Sequence, residues 1–219
     1  MSATVVKTYT EPPVCEKEVL RYAGCKKANG EILSLLHSCL EEMRGKLVYR
    51  ICYREFFLRI TGDVCDFGDF RLRSKHLSRN LSGCEKAIVF AATVGMETNR
   101  LIEKYGRLSP SRALMIQAIG TERIETLCNV FCKDIEREKQ VWTKPRFSAG
   151  YGDLSLDTQK EIFEVLDCSK KIGVYLNESL LMSPSKSVTA FVGLSREKKE
   201  TVPTCAACQQ KDCAFRGEL

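Results

Sequence analysis

The sequence predicts a single α+β domain, and three observations carry that prediction. The run Ala87-Ile88-Val89-Phe90-Ala91-Ala92 is apolar without alternation, bounded by charge before it and Gly95 after it, the pattern of a buried central strand. Ser109-Pro110 opens a long stretch in which Leu114, Gln117, Ile124, Leu127, Phe131 and Ile135 follow one helical stripe. No internal repeat and no proline- or glycine-rich linker divides the body of the chain.

From the start, Pro12-Pro13 closes what reads as a polar tail. Two amphipathic helices are expected next, from about Glu16 to Ala23 and from about Asn29 to Met43, the second with Ile32, Leu33, Leu36, Cys39 and Leu40 at helical spacing. Leu47 to Ile60, rich in aromatic and β-branched residues, predicts one or two strands turning at Gly62-Asp63. A short helix is expected over Ser74 to Leu81, then the buried strand. For the long helix, Ser109 is the expected cap and Pro110 the first helical residue, so that orphan amide donors are satisfied or removed. Gly120 interrupts its stripe at a cost of about 1 kcal/mol against alanine, which predicts a close backbone approach there. Pro145 to Asp153 is a loop of small residues, Leu156 to Leu166 a helix, and Ser187 to Val192 a strand. Beyond Ser195 the chain turns polar and reads as a tail.

At 219 residues the chain can bury a core that needs no disulfide or cofactor. Apolar residues at 44% and charged residues at 28% suit a soluble globular domain. No stretch approaches the roughly 20 apolar residues of a membrane span. Met1 to Tyr9 lacks a basic region followed by an apolar run, so the cytoplasm is the expected compartment. The net charge of +6 is moderate, and the basic clusters Arg71-Leu72-Arg73 with Lys75 and Ser195-Arg196-Glu197-Lys198-Lys199 lack interleaved aromatics, which argues against nucleic acid. Of twelve cysteines, nine (Cys15, Cys25, Cys39, Cys52, Cys65, Cys84, Cys128, Cys132 and Cys168) are scattered and are expected to serve as small buried hydrophobes.

Lys144-Pro145-Arg146-Phe147-Ser148-Ala149-Gly150-Tyr151-Gly152-Asp153 is the most informative segment. Arg146 offers a planar donor fork that matches a carboxylate. Gly150 and Gly152 can bring main-chain groups close to a ligand, and the Tyr151 ring can cover one while its hydroxyl still hydrogen-bonds. A small zwitterion with a carboxylate would suit the loop; so would a plain tight turn with Tyr151 packed on the core. It lacks the spaced glycines and terminal Lys-Ser/Thr of a phosphate loop.

Arg146-Phe147-Ser148-Ala149-Gly150-Tyr151 resembles the Arg-x-x-Pro-Gly-Tyr signature of the activation (reactivation) domain of cobalamin-dependent methionine synthase. So do Ile162-Phe163-Glu164-Val165-Leu166-Asp167, Ile172-Gly173-Val174, Leu176 to Pro184 and Lys186-Ser187-Val188, with Ala118-Ile119-Gly120, Arg123-Ile124-Glu125 and Gly83 to Gly95 upstream. The resemblance covers roughly residues 14 to 194, leaving 195–219 as a polar tail with a cysteine cluster. It implies a free-standing α+β domain with a mostly antiparallel twisted sheet and packed helices. It also implies bound S-adenosylmethionine: Arg146 on the methionyl carboxylate, Glu125 toward the amino group, the Ala149-Gly150 backbone at the adenosyl part and Tyr151 near the methyl donor. Taken without the family, Glu125 would be an ordinary helix carboxylate paired with Arg123 or Lys133. Two departures stand out: Ala149 replaces the usual proline, and a charged tail follows Leu194 where larger members carry a tyrosine-containing strand.

The activity implied is accessory. Cob(II)alamin on a separately encoded methionine synthase core would be restored by one electron and a methyl group from S-adenosylmethionine, giving methylcobalamin and S-adenosylhomocysteine. His37 and His76 do not fit the Asp-x-His-x-x-Gly pattern of a cobalt-ligating loop, so the corrinoid belongs to the partner, and a flavodoxin- or ferredoxin-like electron donor is implied. No catalytic side chain is expected; Arg146 and Tyr151 position the donor. Reactivation of another corrinoid methyltransferase, or a metal-bearing interaction module without methyl transfer, are the alternatives.

Cys205, Cys208 and Cys213 form a Cys-x-x-Cys-x-x-x-x-Cys cluster. Its first two sulfurs can reach one tetrahedral metal, which makes it a candidate zinc or iron–sulfur site. A fourth ligand would come from Cys168, from Cys128 or Cys132, from another subunit or from solvent. A redox-active thiol cluster and a cluster without special role remain the other readings.

Overall fold

A computed structural model describes residues 3–25 and 27–197. The first half runs β1 (Val5–Tyr9), α1 (Glu16–Tyr22), α2 (Gly30–Met43), β2 (Tyr49–Phe57), β3 (Arg59–Thr61), β4 (Val64–Asp66), β5 (Arg71–Arg73), α3 (Lys75–Asn80) and β6 (Lys86–Thr93). The second runs α4 (Glu97–Leu108), α5 (Pro110–Lys139), β7 (Trp142–Thr143), α6 (Thr158–Leu166), α7 (Cys168–Ile172), β8 (Tyr175–Leu176), β9 (Met182–Ser183) and β10 (Ser187–Ser195). The frame is a five-stranded sheet in the order β1-β2-β6-β10-β7, antiparallel at every pairing, so the α+β expectation holds. β3-β4-β5 and β8-β9 form two small antiparallel sheets.

The unbroken apolar run in β6 follows from its place between β2 and β10, with both faces covered. Ala87, Val89 and Ala91 face a core shared with α6, α7, Phe67 and Leu77. Ile88, Phe90 and Ala92 face a core built from the α5 residues Ile124, Leu127, Phe131 and Ile135. Phe90 and Phe131 meet at 5.0 Å, and burying such a side chain is worth roughly 1.5–3 kcal/mol. A third cluster packs α1, α2 and α4 onto the first half of α5 through Val19, Leu36, Leu101 and Ile119.

The helix starts show sequence acting locally. Asn29 accepts the Ile32 amide at 2.9 Å and Ser74 accepts the Leu77 amide at 3.0 Å, each a side-chain N-cap. Ser109 departs from expectation: its side chain makes no cap bond. It sits between two helices, its N–H donating to Tyr105 O at 2.8 Å and its carbonyl accepting from Ala113 N at 3.0 Å. Pro110 at the first helical position removes one orphan donor by itself. The expected amino-terminal tail is also corrected, because Val5–Tyr9 pairs with Tyr49–Tyr53 as an edge strand. β10 extends past Val192 to Ser195, which pairs with Trp142. Gly120 does permit a close approach, though of side chains: a Cβ there would lie 2.6 Å from Thr98 Cγ2 and 3.0 Å from Lys186 Cγ.

Of the nine scattered cysteines six are buried; Cys15 is exposed, while Cys25 and Cys132 are half-buried. Cys15 leaves the core because it is the residue before α1, and its N–H donates to Glu122 at 3.1 Å. Glu122 in turn is bonded to Arg123, and both are almost wholly buried. Arg123 donates onward to the carbonyls of Pro12 and Pro13, which ties the proline pair to α5. No helix among the described residues is long and apolar enough to cross a membrane.

Candidate functional site

The expected ligand residues lie on separate elements that meet at one cleft. Glu125 and Asn129, one turn apart on α5, face the segment that follows β7. That segment runs antiparallel beside β10: Lys144 N–H donates to Gly193 O at 2.9 Å, and Phe147 and Phe191 exchange bonds of 3.0 and 2.8 Å. Arg146, between those anchors, is thereby aimed across at α5. Ser187, Val188 and Thr189 of β10 line a further wall, and Gln159 and Met182 close it from α6 and β9. The cavity volume is about 610 Å³, inside the roughly 300–1,000 Å³ range of small-molecule sites.

Arg146 donates to Glu125 Oε2 and to Asn129 Oδ1, both at 2.6 Å. The ion pair is sheltered, with side-chain exposures of 23% for Arg146 and 38% for Glu125. Glu125 therefore takes neither Arg123 nor Lys133 as its ion-pair partner. Burial raises the Tyr22 hydroxyl above its ordinary pKa, and the Glu125 carboxylate adds to the effect. Lys144 lies within the segment the sequence marks out, whereas Asn129 and Gln159 carry no sequence signal beyond standing on elements that converge in three dimensions.

The Ala149-Gly150-Tyr151 turn lies on the same cleft. Gly150 has φ +85°, a left-handed conformation that strains other residues. Its N–H is committed to Leu154 O at 2.9 Å, and the Tyr151 N–H donates to Ser148 O at 3.1 Å while the Tyr151 carbonyl accepts from Leu154 N–H at 3.0 Å. The turn thus has the Ala149 and Gly150 carbonyls and the Ala149 amide to offer a ligand. Tyr151 is 60% exposed, with its ring edge-on to Phe147 at 6.2 Å. A turn with Tyr151 packed on the core is thus not what forms. His37 and His76 are both exposed on the surface, beside Glu16 and Asp153 respectively.

A second cleft of about 650 Å³ holds none of the expected residues. Its Glu55 carboxylate already bridges Lys86 at 2.8 Å and Lys139 at 2.5 Å. Cys205, Cys208 and Cys213 lie outside the described residues, and among the described residues no group of three or more His, Cys, Asp or Glu is placed to hold a metal. Of the suggested further ligands, Cys128 and Cys168 are fully buried and Cys132 is half-buried. Burial raises the Cys128 and Cys132 thiols above their ordinary pKa, and contact with Cys52, then burial, does so at Cys168.

The profile of the family described as "Vitamin B12 dependent methionine synthase, activation domain" matches residues 76–216, more than half of the chain. That span runs past Leu194 and takes in the three C-terminal cysteines. No curated protein matches the chain. Among solved structures, "Crystal Structure of the MetH Reactivation Domain bound to AdoHcy" aligns with a TM-score of 0.65 and 15% identity, over 91% of this chain and 80% of that one. At this identity the likeness establishes a shared fold.

Proposed function

Because the chain belongs to the vitamin B12 dependent methionine synthase activation-domain family, we propose that its cleft binds S-adenosylmethionine to reactivate a cobalamin-dependent methionine synthase whose corrinoid is held on a separate core. The observation that carries this reading is the sheltered Arg146–Glu125 pair opening on a cleft of adequate volume. The related domain was solved with AdoHcy, which is what S-adenosylmethionine becomes once its methyl group has left.

The residues fit the ligand by their chemistry. Arg146 and Glu125 hold each other, so a guest must replace both halves of the pair or leave one charge alone in a partly desolvated place. An amino-acid end does so in one step, its carboxylate taking the guanidinium fork and its ammonium the carboxylate. Asn129 stays bonded to the guanidinium and keeps it oriented. The exposed Tyr151 ring can cover the sulfonium region and limit water. S-adenosylmethionine supplies an electrophilic methyl group, and the corrinoid of the partner supplies the nucleophile. This chain's own residues bind and align; none is called on to move a proton. The partners are then a cobalamin-bearing core and a flavodoxin- or ferredoxin-like electron donor.

Calorimetric titration tests the reading. S-adenosylmethionine should bind the full chain saturably, and Arg146→Ala should weaken it about 10- to 100-fold, the worth of a charged hydrogen bond at roughly 1.5–3 kcal/mol. Methylthioadenosine, which lacks the amino-acid end, should bind wild type and variant alike. Equal affinity of both proteins for S-adenosylmethionine would overturn the assignment.

A further inference from the structure

The turn that lines the cleft is rich in small residues and has two glycines, a composition that costs backbone entropy to order. One short helix grips this segment at both ends. At its entrance Asn80 Nδ2, the last residue of α3, donates to Pro145 O at 3.1 Å. At its exit the Asp153 carboxylate accepts from the Ser74 hydroxyl, from Lys75 N at 2.7 Å and from His76 N at 3.2 Å. Those bonds fasten it to the first turn of the same helix and hold the Asp153 carboxyl down at about 2, the Ser74 hydroxyl contributing most.

Gly152 adds a contact of shape. At φ +57°, a Cβ on it would lie 2.2 Å from His76 Nδ1, so the backbone lies directly on the imidazole ring. Six helical residues rise about 9 Å, so the two grips on the segment lie about that far apart along the helix. The helix is itself immobilised. Ser74 N–H donates to Asp63 O at 2.8 Å, joining it to the β3-β4-β5 sheet, and Leu77 and Leu81 are fully buried in the core that also receives Leu154.

We infer that α3 is the template on which the ligand turn is shaped, with Asp153 and Asn80 as positioning residues that act through Gly150 and Tyr151. The affinity part of this inference rests on the proposed function; the clamp itself does not. Asp153→Ala in the full chain should raise amide exchange at Gly150, Tyr151 and Leu154 at least 10-fold while leaving β6 unchanged. It should weaken S-adenosylmethionine about 10-fold, and Asp153→Asn, which keeps an acceptor for the α3 amides, should restore most of that. Combined with Tyr151→Ala, the loss should be smaller than the product of the two single losses, since both act through one turn. Unchanged exchange in the turn, or affinity losses that simply multiply, would refute the template. Should Asp153→Ala not fold, Asn80→Ala loosens the other end and is read by the same exchange. If wild type binds no S-adenosylmethionine, the proposed function fails while the exchange result still decides the clamp.

Discussion

Replacing Lys186 with methionine should stabilise the protein at neutral pH. Lys186 is 7% exposed, its ammonium donates to Thr121 Oγ1 at 2.7 Å, and it enters no ion pair among the described residues. The nearby Thr98 hydroxyl is buried without a hydrogen-bond partner and cannot compensate the charge. Burial alone lowers the lysine from 10.5 to about 8. A difference of that size corresponds to at most roughly 3 kcal/mol against the charged form. Methionine keeps a stem of similar length against Gly120, and the lost hydrogen bond gives back about 1 kcal/mol. The net gain is then about 1–2 kcal/mol. Its pH dependence follows from proton uptake: between 8 and 10.5 the unfolded chain holds more protons at this position than the folded one, so wild-type stability rises with pH across that window. Below it the cost is present in full. Urea unfolding of both proteins at pH 7 and pH 10 reads the difference directly, since other titrations cancel between them. The variant's advantage should shrink toward the higher pH. An equal advantage at both, or a loss at pH 7, would show that the ammonium is stabilised where it sits.

Two further outcomes are expected. Gly120→Ala gains about 1 kcal/mol of helix propensity, yet its Cβ would stand 2.6 Å from Thr98 Cγ2. Overpacking at about 1–3 kcal/mol should win and lower the melting temperature, and Thr98→Ser, which removes the opposing methyl, should restore it. For Cys205, Cys208 and Cys213 we propose a zinc or iron–sulfur site on the strength of their spacing. Protein purified without oxygen should then carry stoichiometric metal by elemental analysis, and Cys208→Ala should remove it; metal-free wild type would sink the proposal.

What could be read from the sequence depended on how local the signal was. β6 announces itself because both of its faces are buried, and the second half of α5 because Ile124, Leu127, Phe131 and Ile135 keep one buried stripe. Leu114 and Gln117, read onto that stripe, are exposed, and Met115, Ile116 and Ile119 face the core instead. β1 does not announce itself: it has one neighbour, and its residues are exposed or half-buried, so its existence depends on β2. α4 has no side-chain cap bond at its start to mark it, although Leu101, Ile102 and Tyr105 recur at helical spacing and pack into the core under α5. At the site, Arg146, Gly150 and Tyr151 were legible as a contiguous motif and Glu125 through family resemblance. Their convergence was not. It requires the antiparallel seam that sets Phe147 opposite Phe191 and turns Arg146 toward a helix twenty-one residues earlier. The grip of α3 on the turn, which joins Asp153 to Ser74 across seventy-nine residues, had no sequence signal at all.

That seam also guards the molecule against its own copies. β7 has two residues and pairs with the far end of β10, at Leu194 and Ser195. Along the remaining margin Lys144 and Phe147 occupy the backbone groups of Gly193 and Phe191. Peeled away, they would bare the rim of β10 from Phe191 to Ser195 as well as the end that already lines the cleft, an invitation to edge-to-edge association and aggregation. Engineering a roomier cleft by loosening this segment would therefore be limited by solubility before it was limited by chemistry.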